Sequence, residues 1–175
     1  METNHAYTDY LQQNSVATRP FPVASLEIFL LDRAQERHHR REVERLQQLA
    51  EAHNWRLTRD YEKALYEGYT LIVSNMAQSI LWASHGFLAM TGYKPAEVVG
   101  RTPRFLQGPG TDRIKLRQLA EDLMRARFEK RPQPIRQQLI NYRKGGTPYF
   151  CEIEIDPIQN RQGELTHFIA VEREV

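Results

Sequence analysis

The sequence predicts an α+β domain: a five-stranded antiparallel sheet with helices on one face, preceded by an N-terminal helical extension. Three observations lead there. After Gly68 the long, Gly- and Pro-free runs of helix formers give way to short runs rich in β-branched and aromatic residues, separated by turn signals. These runs fall in the order strand, strand, several helices, then three hairpin-linked strands, an arrangement that segregates helices from an antiparallel sheet. A chain of 175 residues, 41% apolar and 26% charged, is also large and apolar enough to bury a core without covalent staples.

The first twenty residues are polar and end in Arg19-Pro20-Phe21-Pro22, where two prolines bar a continuing helix. From Ser25, a suitable N-cap, the run LEIFLLDRAQERHHRREVERLQQLAEAHNW is free of helix breakers and carries Val43, Leu46, Leu49 and Ala50 on one side. Such a stripe needs a partner. A second helical piece fits 59–67, with Tyr61 and Leu65 one turn apart. Strands fit 69–74 and 79–83, joined by Asn75-Met76-Ala77-Gln78. Short helices fit 86–90 and 95–99, the second with Pro95 at its start and Gly100 past its end. Thr111 or Asp112 can cap a longer helix whose apolar positions are Ile114, Leu116, Leu119, Leu123 and Phe128. Strands at 135–143, 147–157 and 164–173 complete the order.

In the strand 147–157, Tyr149, Cys151, Ile153 and Ile155 share one parity and Glu152, Glu154 and Asp156 the other, so the first set should face the core. Its neighbours are apolar on both parities: Ile135, Leu139 and Asn141 alternate with Ile140 and Tyr142, and Phe168 and Ala170 with Ile169 and Val171. An apolar outer sheet face implies a cover. The amphipathic N-terminal helix, from this chain or from a second copy, is the candidate.

Several function classes drop out. One cysteine excludes a disulfide framework and a thiolate-based zinc site. The pair His38-His39 is a poor metal site, because adjacent helical positions point about 100° apart and no third ligand is near in sequence. No run reaches the roughly 18 apolar residues of a membrane span, and the N-terminus lacks the basic and apolar regions of a secretory signal, so a cytoplasmic location is expected. Lys and Arg number 24 against 22 acids and interleave with them along the helix at 37–45. That is a solvated helical face, and nucleic acid is not an expected partner. No phosphate-binding loop or hydrolase motif occurs, and no catalytic residue is assigned.

The string GFLAMTGYKPAEVVGRTPRFLQGPGTD, which begins at Gly86, resembles the PAS family and, within it, the flavin-binding LOV branch. LINYRKGGTPYF and GELTHFIAVE are similar to the matching last strands. The resemblance runs from about residue 69 to 175 and leaves 1–68 uncovered. It implies a sensory and protein-interaction module whose helices and inner sheet face form a pocket, and whose outer face docks flanking helices or another subunit.

Carried over residue by residue, the LOV pattern is only partly met. The adduct-forming cysteine of that branch falls on Pro103, which has no nucleophile. Arg104 matches the arginine that holds the flavin phosphate, Gln107 the ribityl-contacting glutamine and Asn141 the first ring-binding asparagine. The second phosphate arginine falls on Ala120, the second ring asparagine on Cys151 and the flavin-contacting glutamine of the last strand on Glu172. The resemblance therefore implies no covalent photochemistry and disfavours tight FMN binding, because a cation and two amides are missing. Cys151 reads as a buried small hydrophobe, and a carboxylate at Glu172 would have to be protonated, paired or solvated. Haem is not expected either, since residues 112–128 contain no histidine. The histidines at 85 and 167 read as surface or packing residues.

The resulting expectation is a flexible segment at 1–22, a helical extension at 23–68 and a PAS domain at 69–175. It acts as a non-enzymatic sensor or interaction module in intracellular signalling, with no bound cofactor. The pocket candidates are Arg104, Gln107, Asn141, Cys151 and Glu172, and a non-covalent flavin photoreceptor or redox sensor is the alternative. The expected partners are a second copy, through the N-terminal helices and the outer sheet face, and a signalling protein. No output helix follows the last strand, so the signal is expected to leave through the N-terminal helices or through a surface bound by another protein.

Overall fold

In the computed structural model the described residues are 23–57 and 59–175, with side chains described from Arg33 onward except at Gln35. The segment expected to be flexible, 1–22, lies outside them. The chain divides into two units, Met1–Arg37 and His38–Val175. In the first, the described residues are helical from Val23.

Helix α1 spans Val23–Ala52, and the strand β1 at Trp55–Arg56 follows it. Asn54, with φ at 54°, makes the left-handed step that ends the helix, so Trp55 belongs to a strand and not to the helical run. Then come α2 (Tyr61–Tyr66), β2 (Thr70–Asn75), β3 (Ile80–Ala83), α3 (Gly86–Thr91), α4 (Pro95–Val98), a 3-10 turn (Pro103–Leu106) and α5 (Arg113–Ala126). Strands β4 (Ile135–Tyr142), β5 (Pro148–Asn160) and β6 (Leu165–Glu174) close the chain. All pairings are antiparallel, in the order β1-β5-β6-β2-β3 with β4 also on β5. Five strands match the expected sheet, and β1, which pairs with Gln159 and Asn160, makes a short sixth.

Local chemistry explains the boundaries. Asp60 caps α2 by accepting from the Lys63 amide at 2.9 Å. Asp112, not Thr111, caps α5, accepting from the Ile114 and Lys115 amides at 2.8 and 3.2 Å. Thr111 instead ties the preceding turn to the sheet, donating to the Ile140 carbonyl at 2.6 Å. The β2–β3 connection is held by the Asn75 side chain, which accepts from the Ala77 and Ser79 amides at 2.9 and 3.0 Å. At Gly108 the Tyr142 ring leaves no room for a side chain: a Cβ there would sit 2.4 Å from it.

The sheet separates two cores. On the inner face, Ile72, Phe168 and the expected set Tyr149, Cys151, Ile153 and Ile155 pack against α3, α4, the 3-10 turn and Leu123 of α5. Two assigned apolar positions of α5 face solvent instead. Ile114 is 66% exposed, and Phe128, beyond the helix end, is 85% exposed. On the outer face, Leu71, Val73, Ile158, Ile169 and Val171 lie under Leu46 of α1 and Tyr61, Ala64 and Leu65 of α2. The cover is thus this chain's own, supplied by the stripe Val43, Leu46, Leu49 and Ala50.

The outer parity of β5 is only partly solvated. Glu152 and Glu154 pair with Arg173 and Arg136 at 2.6 and 2.8 Å. Asp156 is buried, accepting from the Tyr61 hydroxyl at 2.8 Å and facing Arg59 at 3.4 Å. Burial raises its pKa, with Tyr61 and Arg59 opposing the rise. Beyond it β5 continues to Asn160, three residues past the expected end, through a register shift at Ile158 and Gln159.

Candidate functional site

Between the inner face of the sheet and α5 lies a cavity of about 470 Å³. Its walls are apolar, with Ile72, Leu106, Leu116, Leu119, Leu139 and Ile153 among them, and the polar side chains come from separate elements. Arg104 and Gln107 come from the 3-10 turn and its end, Arg113 and Arg117 from α5, Asn141 from β4 and Glu172 from β6. A few polar groups converging on an apolar hollow is the general form of a small-molecule site.

The helix explains the cationic side. Arg113, Arg117 and Ala120 follow one another at four and three residues, so they share one face of α5, and all three line the cavity. Together with Arg104 they place three guanidinium groups on its wall, and among the described residues none of the three is paired with an acid. Glu172 is the one acidic residue of the lining.

The other side is a buried polar cluster. Asn141, Tyr149, Cys151 and Glu172 are 4%, 4%, 0% and 5% exposed. Burial pushes the Glu172 carboxyl up to about 7, a rise that the Cys151 thiol, donating to Oε2 at 3.6 Å, partly opposes. Burial, followed by the Glu172 charge, drives the Cys151 thiol above its ordinary range, which keeps it a neutral thiol. The Tyr149 hydroxyl is pushed up for the same reason and has no hydrogen-bond partner of normal geometry among the described residues.

Of the residues singled out in the sequence, Arg104, Gln107, Asn141 and Glu172 line one cavity together with Pro103 and Ala120. Cys151 does not line it, and its thiol instead donates to Glu172, which does. Arg113 and Arg117 were missed. Their spacing around Ala120 was the available signal, because a guanidinium one helical turn earlier reaches the same surface. Among the described residues no histidine lines the cavity. His38 stacks on His85 at 5.0 Å, His39 meets the edge of Tyr66 at 4.9 Å, and His167 is buried against Trp55. His38 and His39 thus diverge, as adjacent helical positions must. Among the described residues no helix is long and apolar enough to cross a membrane.

A family model described as a PAS domain matches residues 67–175. Over 109 residues, 61% of the chain, the sequence is 38% identical to Phototropin-2 of Oryza sativa subsp. japonica. Over 96 residues, 55% of the chain, it is 34% identical to a blue-light-activated histidine kinase of Brucella anthropi. These alignments cover 11% and 18% of the two relatives, so the chain spans only a small part of their length. Among solved structures, one from work on a flavin analogue and the light-oxygen-voltage domain mechanism superposes with a TM-score of 0.58 at 31% identity, covering 66% of this chain and 84% of that one. The light-state structure of the Aureochrome1 LOV photoreceptor gives 0.56 at 26% identity, covering 65% and 87%.

Proposed function

The chain belongs to the PAS domain family, close to its LOV branch, and from that premise we propose that it is a sensor module whose input is a small ligand held without a covalent bond in the cavity under α5. The observation that carries the proposal is the cavity itself, where Arg104, Gln107, Asn141 and Glu172 converge from separate elements on one apolar hollow. No catalytic step is assigned to this segment.

Flavin mononucleotide fits the donor set better than the sequence pattern implied. Arg104 with Arg117 in place of Ala120 would hold its phosphate, Gln107 its ribityl chain, and Asn141 with a protonated Glu172 the polar edge of its ring. A protonated carboxyl offers one donor and one acceptor, as an amide does. When bound, the flavin supplies light absorption and electron transfer. One relative is a blue-light-activated histidine kinase and one similar structure is that of a blue-light photoreceptor, which favours this ligand. The chain's own residues supply no adduct chemistry: Pro103 has no nucleophile and Cys151 is a neutral thiol off the cavity.

Output would run through the sheet. Strands β2 and β6 present Ile72 and Ala170 to the cavity, and Leu71, Val73, Ile169 and Val171 to the underside of α1 and α2. A ligand that favours one setting of these strands would shift the packing of α1 by the difference of its affinities for the two settings. With the apolar outer face already covered, pairing of two copies is proposed through the N-terminal part of α1, whose residues 26–31 are apolar apart from Glu27. A signalling protein would read the same helix.

Native mass spectrometry after incubation with FMN tests the ligand claim. We expect a 1:1 complex that loses the flavin on denaturation, and a protein that stays flavin-free at micromolar FMN would remove the flavin. The same spectrum reports the dimer, and a monomer at micromolar concentration would remove the pairing.

A further inference from the structure

We infer that Glu172 acts as a proton donor to the ligand, so that the cavity selects a ligand edge bearing a hydrogen-bond acceptor and takes it up together with a proton. This rests on the cavity being a ligand site, and adds what its inner end recognises.

The carboxyl lines the cavity from β6 and is almost fully buried. The one hydrogen bond it accepts among the described residues is the weak one from the Cys151 thiol at 3.6 Å. Among the described residues no cation pairs with it. From β5 it faces Tyr149 and Cys151, both neutral, and from β4 the Asn141 amide. Arg143, which lies over the Tyr149 ring, is engaged elsewhere: its guanidinium pairs with Glu174 at 2.6 Å. Arg104, Arg113 and Arg117 belong to the helical wall of the cavity. A buried, uncompensated carboxylate is costly, so the site holds the acid in its neutral form and thereby offers an O–H. Burial places the change to the charged form near neutral pH, within reach of titration.

A ligand carbonyl or unprotonated ring nitrogen would accept that O–H. A ligand edge offering only donors would not. As the pH rises above neutrality the donor is lost, and binding weakens with it.

FMN titrations of the wild type and of Glu172→Gln, followed by flavin fluorescence at pH 6 and pH 9, test this. The wild-type affinity should fall about tenfold per pH unit above the carboxyl midpoint, approaching a hundredfold at pH 9, while E172Q stays flat and close to the wild-type value at pH 6. Equal slopes in the two proteins would overturn the inference. An infrared titration of the ligand-free wild type separates it from the flavin reading. A protonated-carboxyl band present at pH 6 and gone at pH 9 is expected, and Cys151→Ser, which substitutes a stronger donor to the carboxylate, should lower its midpoint. If that band is found but FMN does not bind at pH 6, the flavin falls and the proton donor stands. If the band is absent at pH 6, the donor falls whatever FMN does.

Discussion

Replacing Leu46 with alanine should loosen α1 from the sheet without unfolding the cavity side. Leu46 is 3% exposed and packs in one cluster with Leu71, Val73, Ile169 and Val171 on the outer face. Val43, Leu49 and Ala50 around it are only partly buried, so Leu46 is the central anchor of the helix. Buried Leu→Ala changes cost about 2–5 kcal/mol, and a helix that can settle into part of the vacated space belongs at the lower end, about 2–3 kcal/mol. If α1 opens as a unit before the sheet does, its local opening equilibrium should rise by roughly 30- to 150-fold. Amide hydrogen exchange read segment by segment, alongside urea unfolding, measures this. Protection in residues 42–52 should drop by that factor and that in α5 far less, and Ile114→Ala, at a position 66% exposed, should change stability by less than about 0.5 kcal/mol. Unchanged protection of α1 in the Leu46 variant, or a loss no larger than that of the Ile114 control, would refute the assignment of α1 as the anchored cover.

Three further outcomes follow from the geometry. His167 accepts from the Trp55 indole at 2.9 Å, and burial, with His53 beside it, pushes its pKa from 6.5 down to about 4. The folded ring resists a proton that the unfolded chain accepts, so this stabilisation is full above pH 6.5 and lost as pH falls toward 4. Urea unfolding at pH 7.5 and 4.5 should show a loss on the order of 2 kcal/mol that His167→Gln lacks; equal slopes would contradict it. Gly108→Ala places a Cβ 2.4 Å from the Tyr142 ring and displaces the hydroxyl that accepts from the Gly110 amide at 2.7 Å, so thermal unfolding should register a loss of about 1–3 kcal/mol. Arg117→Ala removes an exposed cation at the cavity and should weaken FMN binding by about 10- to 100-fold with a shallower salt dependence, leaving urea stability unchanged. An unaltered dissociation constant would exclude Arg117 from the phosphate site.

Much of this was legible in the sequence because period-2 and period-3.6 patterns report burial directly. The alternation of Tyr149, Cys151, Ile153 and Ile155 identified the core face of β5, and the two-faced apolar character of β6 required a cover that α1 supplies. What escaped was set by tertiary contacts. Trp55 continues the polar-apolar texture of α1, and only the left-handed turn at Asn54 assigns it to a strand edge. Asp156 reads as solvated by parity, yet Tyr61 and Arg59, about a hundred residues away, enclose it. Phe128 extends the apolar stripe of α5 in sequence but lies past the helix end. At the site, position-by-position comparison noted the loss of a cation at Ala120. Helical spacing puts Arg113 and Arg117 on the same face as Ala120, and the packing of α5 against the sheet turns that face into a cavity wall. The raised pKa of Glu172 likewise depends on how completely the packing around it excludes water.

The central claim is that cavity occupancy is read on the opposite face of the sheet by α1. Amide hydrogen exchange of the protein with and without saturating FMN tests it most directly. The account predicts altered protection in α5 and β4–β6 and, with them, in residues 38–52 of α1, which do not touch the cavity. A change confined to the cavity-lining segments, or no change at all, would contradict it.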